Sequence, residues 1–265
     1  MKKVTIIVIL WFLLTGITWF SHTTLAESNE SLGQLDEIAD EALALTKLGK
    51  YEEAKRLLEY FSNKFTTVTI QERLFSMDEL RILTATHNQA LSALTNMSLT
   101  PEERLNKVTT FRLVMDALVT QYQPLWTEME DSIMTAFQQV EQAAQEGDSL
   151  LYHQHLNSFL SKYSVIQPSL KVDIPVQTVQ KLDAQIAFID RYRTEVLTDR
   201  DSHNQLTNLR NDLQYLFNNT TEDEADPSLW WVIISTGSII IVTLSYVGWR
   251  KYKGNEQKKK QEQND

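Results

Sequence analysis

The chain has 265 residues, no cysteine, and 25 basic against 35 acidic residues, for a formal net charge of −10. The missing cysteine excludes disulfides, thiol catalysis and zinc–cysteine sites, and the acidic balance repels phosphate backbones, so no nucleic acid is expected as a partner. Helix formers dominate, only Gly33, Gly49 and Gly147 fall between residues 27 and 228, and no alternating run is bounded by turn residues, so the fold class reads as all-α.

Lys2 and Lys3 precede the apolar stretch VTIIVILWFLLTGITWF, and SHTTLAES then offers Thr24 and Ala26 three and one before a cut. This is the layout of a secretory signal peptide over residues 1–26. An uncleaved anchor is the alternative and leaves the topology unchanged.

Residues 27–217 read as a multi-helix extracytoplasmic domain built from antiparallel helical hairpins. In LDEIADEALALTKLGKYEEAKRLLEYFSNKF, Leu35, Ile38, Ala42 and Leu45 recur at threes and fours, Gly49 interrupts, and Tyr51, Ala54, Leu58 and Phe61 resume. Two amphipathic helices joined at a glycine make a hairpin. LGKYEEAKRLL resembles the inter-helix turn of a tetratricopeptide repeat, with Gly49 at the turn and Tyr51 and Ala54 at packing positions. The repeat's tryptophan, its closing proline and any 34-residue array are missing, so one hairpin is expected and no solenoid. The best strand candidate, FTTVTI at 65–70, has no partner.

The next helix is expected from Met77 or Asp78 to about Met97, with Leu80, Leu83, His87, Leu91 and Leu94 on one face. In SLTPEERLNKV, Thr100 caps, Pro101 suits the first helical position and Glu103 completes a capping box. That helix carries Leu105, Val108, Phe111, Met115, Leu118 and Val119. Pro124 opens another, with Trp126, Met129, Ile133, Phe137 and Val140 on its stripe and Gly147 at its end. Leu150 to about Tyr163 reads as a short return helix, and SVIQPSLKVDIPV, holding Pro168 and Pro175, as an extended connector and internal boundary. Val179, Leu182, Ile186, Ile189 and Val196 mark one further helix. Leu206, Leu209, Leu213 and Leu216 mark either its continuation or a second helix, since TDRDSHN shifts the phase.

Residues 218–228, NNTTEDEADPS, form a polar, acidic stalk without the composition for order. Residues 229–249 are 21 uncharged residues rich in Ile and Val, about 32 Å as a helix, enough to cross a hydrocarbon core of about 30 Å. Trp230 and Trp231 stand at one end, Tyr246 and Trp249 at the other, where amphipathic rings settle at interfaces. The tail, 250–265, holds Arg250, Lys251, Lys253, Lys258, Lys259 and Lys260, while Glu222, Asp223, Glu224 and Asp226 lie upstream. Basic flanks stay in the cytoplasm, so the tail is expected inside and the domain outside. The part between signal and tail has 17 basic and 32 acidic residues, a strongly acidic outer face.

Candidate chemistry is sparse. His153 and His155 are two apart, about 200° around a helix, and do not share a metal ion. His87 falls on an apolar stripe, as a packed histidine does, and His203 lies in a polar stretch. Asp36/Glu37, Glu52/Glu53, Glu102/Glu103 and Glu128/Glu130 could be glycosidase carboxylates only across a cleft at a set separation. They are expected on solvent faces or in first helical turns, where negative charge suits the helix dipole. Trp126 reads as core. No GxSxG, HExxH, P-loop or Rossmann glycine pattern occurs. No catalytic, cofactor-binding or metal residue is assigned.

The full-length plan carries the signal peptide, the cysteine-free helical domain opening with LDEIADEALALTKLGKYEEAKRLLEYFSNKF, TPEERLNKV in mid-chain, and WWVIISTGSIIIVTLSYVGWRKYKG near the end. It resembles the YpjB family of sporulation proteins from endospore-forming bacilli. The resemblance implies a membrane-anchored protein that supports spore formation, and supplies no catalytic residues. The expected function is therefore non-enzymatic. Its partners would be the membrane and an envelope or sporulation protein bound at the outer face. Two alternatives stand beside it. One is an enzyme acting on cell-wall polymer, which requires converging carboxylates. The other is a ligand sensor working through a membrane partner, because the tail has no room for an output module.

Overall fold

The computed structural model describes residues 23–72, 75–120, 123–198, 200–222 and 227–262; residues 1–22 of the expected signal peptide lie outside them. In chain order the elements are α1 (Thr23–Lys47), α2 (Tyr51–Glu72), α3 (Met77–Thr95), α4 (Pro101–Val119), a 3-10 turn (Leu125–Met129), α5 (Glu130–Glu146), α6 (Ser149–Asp173), α7 (Val176–Arg191), α8 (Arg193–Thr198), α9 (Arg200–Glu222) and α10 (Pro227–Glu262). No strand occurs among the described residues, in agreement with the all-α reading, and FTTVTI lies within α2. Two compact units are distinguished, one up to Tyr215 and one from Leu216 onward.

The glycines end helices by left-handed caps. Gly49 has φ +73°; its N–H donates to the Thr46 carbonyl at 3.0 Å and the Lys50 N–H to that of Leu45 at 2.9 Å. Gly147, at φ +69°, repeats the arrangement with the Asp148 N–H on the Ala143 carbonyl at 3.1 Å. Only glycine adopts this backbone without a Cβ penalty, and the two bonds satisfy carbonyls the helix end would orphan. Across each tight turn, side chains join positions equally far from it. Lys64 donates to Gln34 across the Gly49 turn, Lys107 to Gln89 at 3.3 Å, and Lys162 to Ser132 at 2.7 Å. The capping box of α4 forms as expected, with Pro101 in its first turn. A second, Ser76 with Glu79, starts α3.

Helix α4 is the middle of the first unit. It packs against α1, α3, α6 and the 3-10 turn, and every residue from Thr110 to Met115, together with Asp116, is buried. A run of seven residues covers nearly two turns, so this half of the helix is enclosed all round rather than along one stripe. Around it lie Leu35, Ile38 and Ala42 of α1, Ala54, Leu58 and Phe61 of α2, and Leu83, Ala90 and Leu94 of α3. The Phe61 and Phe111 rings meet edge-on at 4.9 Å, and His87 touches both at 5.5 and 5.4 Å.

The C-terminal half differs from the sequence reading in two places. The expected connector around Pro168 is helical, since α6 runs from Ser149 to Asp173 with the proline inside it. Tyr152, Leu156, Phe159, Tyr163, Ile166 and Leu170 are all buried and recur every three or four residues straight through the proline. Burying Ile166 and Leu170 outweighs a proline cost of about 3 kcal/mol. Downstream, the segment left as one helix or two is broken at Tyr192, where α7 stops and φ −108° and ψ 44° are not helical. α7 is held to α9 through Asp212, which accepts from Lys181 at 2.6 Å and from Gln185 at 2.8 Å. Helix α9 continues to Glu222, into the stretch expected as stalk, and α10 includes the tail as far as Glu262.

Within α10, Val232–Tyr252 is a 21-residue stretch long and apolar enough to cross a membrane. Ile233, Ile239, Ile241 and Leu244 on it are exposed. The hydroxyls of Ser235, Ser238 and Thr243 donate to the carbonyls of Val232, Ile234 and Ile239, which leaves those polar side chains satisfied inside the helix.

Two substitutions and a control test the packing. Ala54 has no exposed surface, so Ala54→Trp overpacks the α1–α2 contact and lowers stability by about 1–3 kcal/mol; an unchanged melting temperature would contradict the packing. Arg112→Leu removes the cation from a buried ion cluster and costs about 3–5 kcal/mol, while Lys55→Ala, which breaks an exposed pair with Glu59, changes stability by less than about 0.5 kcal/mol. Chemical denaturation of the three proteins side by side gives the comparison.

Candidate functional site

The buried charges are consumed by packing. Arg112 donates from Nη1 and Nη2 to the two carboxylate oxygens of Asp36, at 2.8 and 3.2 Å, and from Nε to Asp40 at 3.2 Å. Asp116 stands 3.6 Å away. It accepts the Leu125 N–H at 2.7 Å and the Thr120 hydroxyl at 3.1 Å. The cluster therefore ties α1, α4 and the start of the 3-10 turn together. Burial raises the Asp36 pKa above the ordinary carboxylate range, and Asp116 and Asp40 add to the effect against the opposing pull of Arg112. Asp36 was expected on a solvent face; instead it faces inward on Arg112. Glu141 behaves similarly: burial raises its pKa and Arg210, 3.3 Å away, opposes the shift.

The histidines also have packing roles. The His87 Nε2 lies 2.8 Å from the Leu58 carbonyl, which only accepts, so Nε2 carries the proton. His153 Nδ1 lies 3.3 Å from Arg193 Nη1. A guanidinium only donates, so this nitrogen is an acceptor and is occupied. Arg193 also donates to Asn157 at 2.9 Å and to Asp190, joining α6, α7 and α8. His153 and His155 are not brought onto one ion, and no group of metal-ligating side chains occurs among the described residues. The His203 side chain lies outside the described residues. Two buried tyrosines differ: Tyr163 donates to Asp183 at 2.9 Å, whereas the Tyr152 hydroxyl is enclosed without a partner and burial pushes its pKa up to about 12. Trp126 is core as expected, its Nε1 donating to Asp173 at 2.9 Å.

The remaining acidic pairs sit at helix starts. Glu52 and Glu53 occupy the first turn of α2, with Lys50 3.4 Å from Glu53. Glu103 is held below the ordinary carboxylate range by the backbone and hydroxyl of Thr100, and Glu102 is exposed beside it. Glu128 belongs to the 3-10 turn and Glu130 to the first turn of α5. Negative charge in a first helical turn suits the helix dipole.

Among the grooves formed by the described residues are these two. One, of about 410 Å³, lies between α7 and α9 and is lined by Leu182, Tyr215 and the Lys181–Asp212 pair. The other, of about 380 Å³, lies where the α1–α2 turn meets the α3–α4 turn, lined by Gly49, Lys50, Tyr51, Leu94, Met97 and Arg104 among others. Arg104 braces it, with its guanidinium 4.6 Å above the Tyr51 ring and a 2.9 Å bond to the Asn96 carbonyl. Met97 is 95% exposed on its wall, and Leu48, next to Gly49 in the turn, is 71% exposed. The sequence reading located the Gly49 turn and missed the braced groove, because Arg104 and Tyr51 are half a hundred positions apart.

Comparison with known proteins follows the same boundaries. The family model described as Sporulation protein YpjB (SpoYpjB) matches residues 32–261. A protein of Bacillus subtilis (strain 168) named "Uncharacterized protein YpjB" is 34% identical over 250 residues, covering 94% of this chain and 95% of that protein. No solved structure matches. With the match running from α1 almost to the end of α10, the chain belongs to the YpjB family of sporulation proteins.

Proposed function

We propose that this protein supports endospore formation as a single-pass membrane protein whose helical domain binds another envelope or sporulation protein at the outer face, without chemistry of its own. The observation that carries the reading is the groove between the two hairpin turns, with Leu48 and Met97 exposed beside it. Single exposed apolar side chains are ordinary. Two on adjoining turns, flanking a groove braced by Arg104 and Tyr51, fit the anchoring of an apolar side chain from a partner helix or loop. Of the groups with altered surroundings, Asp36, Glu141 and Tyr163 are each bonded within the packing and Tyr152 is enclosed away from the grooves, which favours a structural use over catalysis.

The apolar stretch of α10 supplies the tether. The acidic residues before it and the basic ones after it favour a cytoplasmic tail and an outer domain. Tethering holds the domain at high local concentration near partners in the same membrane.

Leu48→Glu with Met97→Glu tests the reading in sporulating cells. Both positions are exposed, so stability should change by less than about 0.5 kcal/mol, while spore yield should fall nearly as far as after truncation behind Asp226, which releases the domain. Alanine at Glu52, Glu53, Glu128 or Glu130 singly should leave yield nearly intact. Loss of yield from one of those carboxylate changes, with the domain folded and anchored, would replace binding by catalysis on wall polymer.

A further inference from the structure

Helix α10 runs unbroken from Pro227 to Glu262, 36 residues, about 54 Å at 1.5 Å per residue. Its uncharged run, residues 229–249, matches a hydrocarbon core of about 30 Å, and each headgroup layer adds about 5–8 Å. A flexible tail could lay all six of its basic residues on the membrane. A helical one fixes their heights. Arg250, Lys251 and Lys253 fall at the end of the apolar stretch, within the headgroup layer, and the first two are exposed on the helix. Lys258, Lys259 and Lys260 stand about 9–12 Å further along the axis than Tyr252, beyond that layer.

We propose that Arg250, Lys251 and Lys253 form a tier that binds the phosphates of anionic lipids, and that Lys258, Lys259 and Lys260 take no part in it. The proposal rests on the reading of α10 as a membrane span. Charge complementarity selects the ligand. The tier sets three cations within four residues, and the nearest acid along the chain is Glu256, a further turn out. Phosphatidylcholine offers the same phosphate neutralised by its own choline, so the tier should favour headgroups with net negative charge.

The test uses the full chain in phosphatidylcholine vesicles containing a minor share of phosphatidylglycerol. Electron spin resonance with spin-labelled lipids then measures how much of each lipid is held motionally restricted at the protein. Phosphatidylglycerol should be enriched several-fold over phosphatidylcholine, and less so at high salt. The enrichment should vanish in Arg250→Gln/Lys251→Gln/Lys253→Gln and persist in Lys258→Gln/Lys259→Gln/Lys260→Gln. Equal association of both lipids with the unaltered chain, or loss of selectivity in the distal variant alone, would overturn the tier. A chain that restricts neither lipid would overturn the span itself, and is distinguishable from the first result because phosphatidylcholine restriction is then missing too.

Discussion

A single guanidinium enclosed in the first unit constrains everything packed around it. Arg112 lies in the half of α4 that is covered all round, and a lone cation there would cost several kcal/mol of lost hydration. Asp36, Asp40 and Asp116 offset that cost, but only when α1 lies in one register against α4 and when the chain turns at Leu125 so that its N–H meets Asp116. Apolar contacts such as Phe61 on Phe111 tolerate some sliding. A bidentate ion pair does not. The electrostatic cluster thus fixes a geometry that hydrophobic burial drives, and the inward Asp36 carries the strain of that arrangement as a raised pKa.

Farther along the chain the helices are enclosed too, with Leu182 and Ile189 of α7 and Leu209 and Leu213 of α9 buried. Helices α1 to α6 meet in several directions, whereas α7 packs against α6 and α8 and is joined to α9 by the polar bonds of Asp212. The exposed apolar side chains of the first unit lie mainly at turns and helix ends, Leu48, Met97, Leu150 and Val176 among them. Loops carry recognition on a rigid frame in many proteins. Arg112, Asp116 and Glu141 are the charged residues enclosed among the described ones, and the exposed apolar turns are the surface on which the binding proposed above rests.

Much of this was legible along the chain because the signals were local. Gly49 and Gly147 mark left-handed caps, Thr100 with Glu103 marks a helix start, and the spacing of Leu83, His87 and Leu94 marks a face. The misses have physical causes too. Pro168 read as a breaker, yet the stripe from Tyr152 to Leu170 keeps its spacing through it, and tertiary burial outranked the local cost. Ser76 with Glu79 was a visible capping box left unread. Asp36 looked like a surface acid because its partner is 76 positions away; the available hint was a charged pair, Arg112 and Asp116, inside the otherwise apolar FRLVMDAL. The candidate site was legible only as the Gly49 turn, since the groove is made by two turns that no local pattern connects.

Hydrogen exchange read by mass spectrometry on the full chain in detergent tests most directly whether α4 organises the first unit. Amides there should exchange at rates set by local or global opening. With α4 at the centre, the amides of Phe111 to Asp116 exchange last, together with the facing segments of α1 and α3, and those of α7 and α9 exchange well before them. Exchange of α4 as early as α7 would mean that the enclosed ion cluster does not hold the molecule together, and would contradict the account.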